Sequence, residues 1–329
     1  MTKPEQIQTN INTNSLKFKN NTLKAIDLFA GIGGIRLGFT EAFGKNIEFV
    51  FSSEIDKYAQ QTYYANFGEV PHGDITKISE KDIPPHDIIL AGFPCQAFSV
   101  AGLRKGFEDT RGTLFFDVAR IAAYHKPKLI FLANVKGFVN HDKGNTFRVV
   151  KQTLEDLGYK VFSKVLNAKD FGVPQNRERI YIVAFRDDID FEFPKAIEKD
   201  IKLGDILEKN VDEKYTISDR LWAGHQRRKI EHRLKGNGFG YCLFNHSSKY
   251  TSTISARYYK DGSEILIEQE NKNPRKLTPK EACRLQGFGD NFKIIVSDTQ
   301  SYKQFGNSVC VPVVSAISKK IEEKLKKDF

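Results

Sequence analysis

In the first part of the chain, short continuous apolar runs alternate with stretches whose apolar residues recur at helical spacing. Residues 25–29 (AIDLF), 47–51, 87–91 (DIILA), 128–132 (KLIFL), 160–166 and 179–185 read as strands, and residues 35–43, 56–67, 113–124 and 145–157 read as helices. Strands that are apolar throughout are buried on both faces, and helices between them make the crossovers of a parallel-rich α/β sheet. The rhythm stops near Pro194. Residues 195–272 carry only shorter strand-like runs, such as 264–268, and read as a smaller, irregular β-rich domain. Regular structure resumes at Thr278-Pro279-Lys280-Glu281, a capping box with proline at the first helical position, which predicts a helix over 279–286. A final helix is predicted over 312–326, its apolar stripe needing the first domain as a partner. The expected division is a polar extension over 1–22, a catalytic and cofactor-binding domain over 23–194 plus 305–329, a second domain over 195–272, and a hinge with a connecting helix over 273–304.

A chain of 329 residues with 40% apolar content can bury a core without disulfides or structural metal. Its four cysteines, Cys95, Cys242, Cys283 and Cys310, form no C-x-x-C pair, so neither a disulfide scaffold nor a zinc or other metal site is expected. No run of about 18 apolar residues is present, which excludes a membrane helix, and the polar N-terminus lacks the apolar stretch of a signal peptide. A soluble, cytoplasmic protein is expected. Charge sharpens the picture. Of the formal net +10, most falls within residues 220–260, where nine Lys and Arg face the single Glu231. Trp222, Phe239, Tyr241, Phe244, Tyr250, Tyr258 and Tyr259 are interleaved there with Gly236, Gly238 and Gly240. A bare charge run is usually a solvated face; basic residues alternating with aromatics and glycines suit phosphates and base edges better, so a nucleic-acid surface is expected.

Two constellations carry chemistry. Asp27-Leu28-Phe29-Ala30-Gly31-Ile32-Gly33-Gly34 lies where the first strand meets the first helix, and its glycines permit a sharp turn that leaves helix N–H groups facing a ligand. Such turns often serve packing alone. Glu54, twenty residues past Gly34 at the end of the second strand, is placed to hold ribose hydroxyls, and Asp74 to accept from an adenine amino group. Any adenosine cofactor fits, although the absence of G-x-G-x-x-G disfavours a dinucleotide. The second constellation is Gly92-Phe93-Pro94-Cys95-Gln96, directly after a strand and beside that crevice. A free cysteine is more often a small buried hydrophobe than a nucleophile, as expected of Cys283 and Cys310. Cys95 differs, because a Pro-Cys in a glycine-bounded loop satisfies no apolar periodicity.

Together, DLFAGIGG, GFPCQAFS, FLANVKGF, PQNRERIY, LTPKEACRLQGF and QFGNSV resemble the blocks of the bacterial DNA (cytosine-5)-methyltransferases, over about residues 23–186 and 271–318. Residues 195–250, the region that selects the target sequence in that family, resemble it poorly. The resemblance implies a Rossmann-like fold using S-adenosylmethionine, with S-adenosylhomocysteine as product, and a smaller target-recognition domain. It assigns Cys95 to attack on C6 of a flipped-out cytosine, which makes C5 enamine-like. Arg179 matches the donor to the cytosine O2, and Arg177 its companion in the catalytic set. Phe29, Gly31, Gly33, Gly34, Glu54, Asp74, Ile75, Pro94 and Asn307 match the cofactor pocket. Gln96, Ser99, Arg104 and Thr253 match DNA contacts, to which the basic segment adds Arg227, Arg228, Lys229 and Arg257. The implied partner is double-stranded DNA, with a cognate restriction endonuclease in the same system but no stable complex, and a monomer is expected.

One block departs from the pattern. Where the family carries Glu-Asn-Val, this chain reads Ala133-Asn134-Val135. The family glutamate bonds N3 and the amino group of cytosine and stabilises charge at N3 as the thiol adds. Alanine can do neither, and loss of a positioned acid typically removes about 10² to 10⁴ in rate. Impaired activity is expected, and a DNA-binding relative that no longer methylates is the rival reading. A transfer-RNA cytosine-5 methyltransferase is a third, since it shares the core blocks.

Overall fold

The computed structural model describes residues 22–94, 114–197, 199–236, 238 and 240–326. Six strands, β1 (Leu23–Leu28), β2 (Ile47–Ser53), β3 (Ile88–Ala91), β4 (Leu129–Val135), β5 (Lys160–Asn167) and β6 (Glu178–Phe185), form one sheet in the order β2-β1-β3-β4-β6-β5. The pairs β1–β2, β1–β3 and β3–β4 are parallel, whereas β6 runs antiparallel to both its neighbours. The strand order reverses between β1 and β3, the position at which open α/β sheets bind ligands.

Both faces of the sheet are covered. Helices α1 (Gly34–Phe43) and α8 (Val311–Leu325) lie on one, burying Phe39, Val314, Ile317 and Ile321 against Leu90, Leu129 and Phe131. The C-terminal helix thus packs back on the first domain, as its apolar stripe requires. On the other face, α3 (Phe115–His125) and α4 (Asn145–Asp156) bury Val118, Ile121, Val150 and Leu154 against Ile89, Ile130 and Ile182. Helix α2 (Lys57–Phe67) is bounded as its sequence dictates. Asp56 caps it by accepting from the Tyr58 and Ala59 amides, and Gly68 ends it at φ 76°.

The smaller unit departs from the sequence expectation. Among the described residues of 195–272 lie a 16-residue helix, α5 (Asp219–Leu234), and the two-residue strands β7 (Leu243–Phe244) and β8 (Leu266–Ile267). The helix escaped the reading because it has no apolar face: only His225 is buried along it. Its legible signal was the Ser218-Asp219 start, where Ser218 accepts from the Leu221 amide. A further helix, α7 (Asp298–Asn307), was also unread, and it crosses the expected boundary at 304/305 without a break. The core of the unit joins Leu203, Ile254, Tyr258 and Ile265 to Leu277, Cys283 and Leu285 around α6 (Pro279–Leu285) and to Phe305 of α7. The segment expected to be a hinge is therefore part of that core. The capping box that opens α6 is present, with Thr278 and Glu281 bonding reciprocally.

Candidate active site and cofactor cavity

The Gly-rich turn folds by exploiting backbone that few residues accept. Phe29 sits at φ 54°, Gly31 at φ 55° and Gly33 at φ 81°. A left-handed aromatic residue is strained, and such strain concentrates at functional sites. The turn is held by Ala30 N–H donating to Ser53 O at 2.9 Å and Gly33 N–H to Ala30 O at 2.8 Å. Glu54, at the tip of β2, accepts from the Gly31 amide at 2.8 Å on one oxygen and from the Asp56 amide at 2.8 Å on the other. Each oxygen keeps a lone pair for a hydroxyl.

These residues rim a cavity of about 450 Å³. One end presents Phe29, Gly31, Glu54, Asp74 and Ile75; the other presents Pro94, Ala133, Asn134 and Arg179. Asp74 caps a short turn, accepting from the Thr76 amide at 3.1 Å and hydroxyl at 2.8 Å on one oxygen. Those bonds, chiefly the hydroxyl's, hold its carboxyl below the usual range. Gly34 and Asn307 line the same cavity; Gly33 instead packs against the Phe67 ring. Sequence reasoning missed Gln300, Lys303 and Gln304, which reach the cavity from α7, because that segment had not been read as a helix. The start that could have revealed it is Ser297, whose side chain caps the Gln300 amide.

At the far end, β4 places Ala133 opposite Tyr181 and Val135 opposite Arg179 on β6. Ala133 is buried and lines the cavity. Asn134 anchors the neighbouring loop by donating to Phe93 O at 3.0 Å. The Arg179 guanidinium donates to Glu178 O at 2.8 Å, and burial lowers its pKa. Cys95, Gln96, Ser99 and Arg104 lie outside the described residues; Pro94, the last described residue before them, is on the wall. Cys283 and Cys310 are buried thiols, each pushed up to about 12 by burial.

Arg177 and Arg179, two positions apart on the chain, are placed differently. Arg177 is 2% exposed, and its guanidinium donates to three carbonyl oxygens, of Ile254 at 3.0 Å, Gly306 at 2.9 Å and Ser308 at 2.5 Å. Those bonds turn it away from the cavity, whose lining it does not join. Asp27, noted in the sequence only as part of the turn, is fully buried beneath it. Its carboxyl is raised to about 7, chiefly by burial, and accepts from the Tyr63 hydroxyl at 3.3 Å. Arg36 in turn donates to Tyr63 at 2.9 Å and pairs with Glu69 at 2.6 Å.

The basic residues of the smaller unit are unequal. Arg227 is 79% exposed, with Glu231 3.7 Å away along the helix. Arg228 is paired with Asp261 at 3.0 Å, and Lys229 lies over the Tyr241 ring at 4.1 Å. Arg257 is exposed, and Thr253 donates to Asn176 O at 2.7 Å, tying the unit to the loop before β6.

A doubly wound sheet whose glycine turn and strand-tip carboxylate open onto one cavity is a Rossmann-like methyltransferase fold. The chain belongs to the C-5 cytosine-specific DNA methylase family, whose sequence model matches residues 23–323. It is 62% identical to Type II methyltransferase M1.ScrFI of Lactococcus lactis subsp. cremoris over 94% of this chain and 80% of that protein. It is 64% identical to M.NlaX of Neisseria lactamica over 92% and 97% of the two chains, and 46% identical to M.HhaI of Haemophilus parahaemolyticus over 92% and 95%. Among solved structures, the Entamoeba histolytica methyltransferase EhMeth superposes with TM-score 0.75 at 23% identity, covering 94% of this chain and 99% of that one. The S. pombe Dnmt2 methyltransferase superposes with TM-score 0.76 at 20% identity, covering 93% and 99%. These two establish the shared fold. The chain is a DNA cytosine-5 methyltransferase by family, and among the described residues no helix is long and apolar enough to cross a membrane.

Proposed function

We propose that this chain is the modification enzyme of a bacterial restriction–modification system, acting as a cytoplasmic monomer on a short duplex site, in a form slowed by Ala133. The observation that carries the reading is one cavity lined both by Phe29, Glu54, Asp74 and Ile75 and by Pro94, Ala133 and Arg179. Its volume of about 450 Å³ lies in the range of pockets that enclose a small ligand. The donor set fits S-adenosylmethionine: the free lone pairs of Glu54 suit the ribose diol, Asp74 the adenine amino group, and Phe29 and Ile75 its ring. When bound, that cofactor supplies an electrophilic methyl group. A cognate endonuclease is expected to act on the same site without forming a stable complex.

The remaining steps belong to the chain. Cys95, one residue beyond the cavity wall at Pro94, adds to C6 of the extruded cytosine. Arg179 donates to the O2 and holds the ring. Position 133 faces the same cavity, so a carboxyl there would reach the base edge from β4; the alanine leaves N3 without its acid. Thr253 steadies the flipped nucleotide's backbone, while Gln96, Ser99, Arg104, Arg257 and α5 supply DNA contacts. Arg177 acts as a positioning residue. The basic smaller unit supports duplex DNA over transfer RNA as substrate.

The test is methyl transfer to DNA and transfer RNA by this chain and by its Ala133→Glu form. Ala133→Glu should raise DNA methylation by about 10²-fold or more, and Cys95→Ser in that background should abolish it while Cys242→Ser leaves most of it. A folded, cofactor-binding Ala133→Glu protein that methylates no duplex would leave the non-methylating DNA-binding relative as the better account.

A further inference from the structure

Arg177 presents an unusual combination: a guanidinium 2% exposed, bonded to three carbonyls and, among the described residues, to no carboxylate. Desolvation lowers its pKa to about 9. A buried charge without a counter-ion is costly unless fixed dipoles compensate it. The three carbonyls come from two places. Ile254 belongs to the smaller unit, next to Thr253, whereas Gly306 and Ser308 flank Asn307 on the cavity wall.

Packing tightens the same junction. A Cβ on Gly306 would lie 2.3 Å from the backbone of Ser255 and Ala256, so α7 meets the smaller unit there at closest approach. A Cβ on Gly34 would lie 2.6 Å from the Ser308 hydroxyl, so the other side of the segment rests on the glycine turn. A second buried route runs in parallel. Gln175 accepts from the Ile254 amide at 3.1 Å and donates to Gln286 at 3.2 Å, and Gln286 donates to Phe305 O. Residues 254–256, 305–308 and 33–34 are thereby stacked in contact, with Arg177 bonded to the first two.

We propose that Arg177 is a positioning residue that couples the smaller unit's engagement of DNA to occupancy of the cofactor cavity. This rests on the reading of that cavity and of the smaller unit given above. A displacement of Ile254 when DNA is gripped cannot leave Gly306 and Ser308 in place without stranding a buried guanidinium, so both segments shift together or neither does. Coupling of this kind is reciprocal: DNA changes cofactor affinity by the factor by which cofactor changes DNA affinity.

The experiment titrates S-adenosylhomocysteine by calorimetry into the full chain, alone and saturated with a duplex that the chain has selected from a random pool. In the parent, the duplex should change the affinity at least about fivefold. Arg177→Lys keeps the charge but offers no planar fork to span three carbonyls, and should bring that ratio close to one. The ratio separates coupling from a general loss of binding. If the lysine form does not melt cooperatively, Gln286→Met, which cuts the parallel route, is read by the same ratio and should reduce it. A folded variant that keeps the parent's ratio overturns the proposal, as does a parent ratio of one. Failure of the parent to bind either S-adenosylhomocysteine or any duplex would instead overturn the functional reading beneath it.

Discussion

Asp27 shows how much a single residue in a recognisable block can hide. Its carboxyl has an oxygen with no hydrogen-bond partner among the described residues, and burial raises its pKa to about 7. With an ordinary carboxylate value of 3.8 in the unfolded chain, the folded state binds the proton more tightly, so stability is lost as pH rises from about 4 to about 7. Asp27→Asn keeps an acceptor for Tyr63 and removes the charge. Its melting temperature should exceed the parent's by several degrees at pH 8, at roughly 1–2 °C per kcal/mol for a chain of this size. The gap should close towards pH 5, and thermal melts across that range check it. Gly306 is the opposite case, a position defined by space. Alanine there would press its Cβ to 2.3 Å from backbone atoms that cannot rotate away. Gly306→Ala should destabilise by about 1–3 kcal/mol, measurable by denaturant unfolding, and should loosen the wall around Asn307.

At the scale of elements, α5 is the one whose function the structure redistributes. The sequence alone suggests that Arg227, Arg228 and Lys229 act as one set of phosphate contacts. Arg228 is committed to Asp261 and Lys229 to the Tyr241 ring, while Arg227 and Arg233 stand exposed. Arg227→Ala with Arg233→Ala should therefore weaken all duplexes alike and flatten the dependence of log affinity on log salt by roughly 0.9 per lost phosphate contact. Arg228→Ala should lower thermal stability as well, because it frees Asp261; binding titrations at several salt concentrations, paired with melts, separate the two outcomes. The same helix marks what the sequence could not show. The strands of the main sheet are legible because β1, β3, β4 and β6, flanked on both sides, are near-continuous apolar runs, while the partly exposed edge strands β2 and β5 keep apolar residues among polar ones. The glycine turn and the strand-tip carboxylate that line the cavity are legible too, since they stand at fixed spacing. Helix α5 buries only His225 and so carries no periodic signal, and the cavity residues of α7 become neighbours of Glu54 only through tertiary packing. Arg177 and Arg179, two positions apart, looked equivalent, yet one faces the cavity and the other is bonded away from it.

For the whole molecule, the parts that hold ligands are spread widely and the part that Ala133 removes is local. Phe29 and Glu54 directly follow β1 and β2, Asp74 lies in the loop that follows α2, and Asn307 ends α7. None depends on the side chain at position 133 for a hydrogen bond. Cofactor affinity should thus change little, less than about threefold, between this chain and Ala133→Glu. On the proposed reading, extrusion of the base, costing a few kcal/mol, draws on contacts of the smaller unit and of Arg179 and should persist in part with alanine in place. The missing interaction acts mainly as the thiol adds, so its loss falls on turnover rather than on binding. A duplex carrying a fluorescent base analogue at the target should brighten on binding this chain, with S-adenosylhomocysteine present, to at least half the level reached with Ala133→Glu. If brightening appears only after the carboxyl is restored, extrusion itself requires residue 133, and the separation of binding from chemistry drawn across the molecule fails.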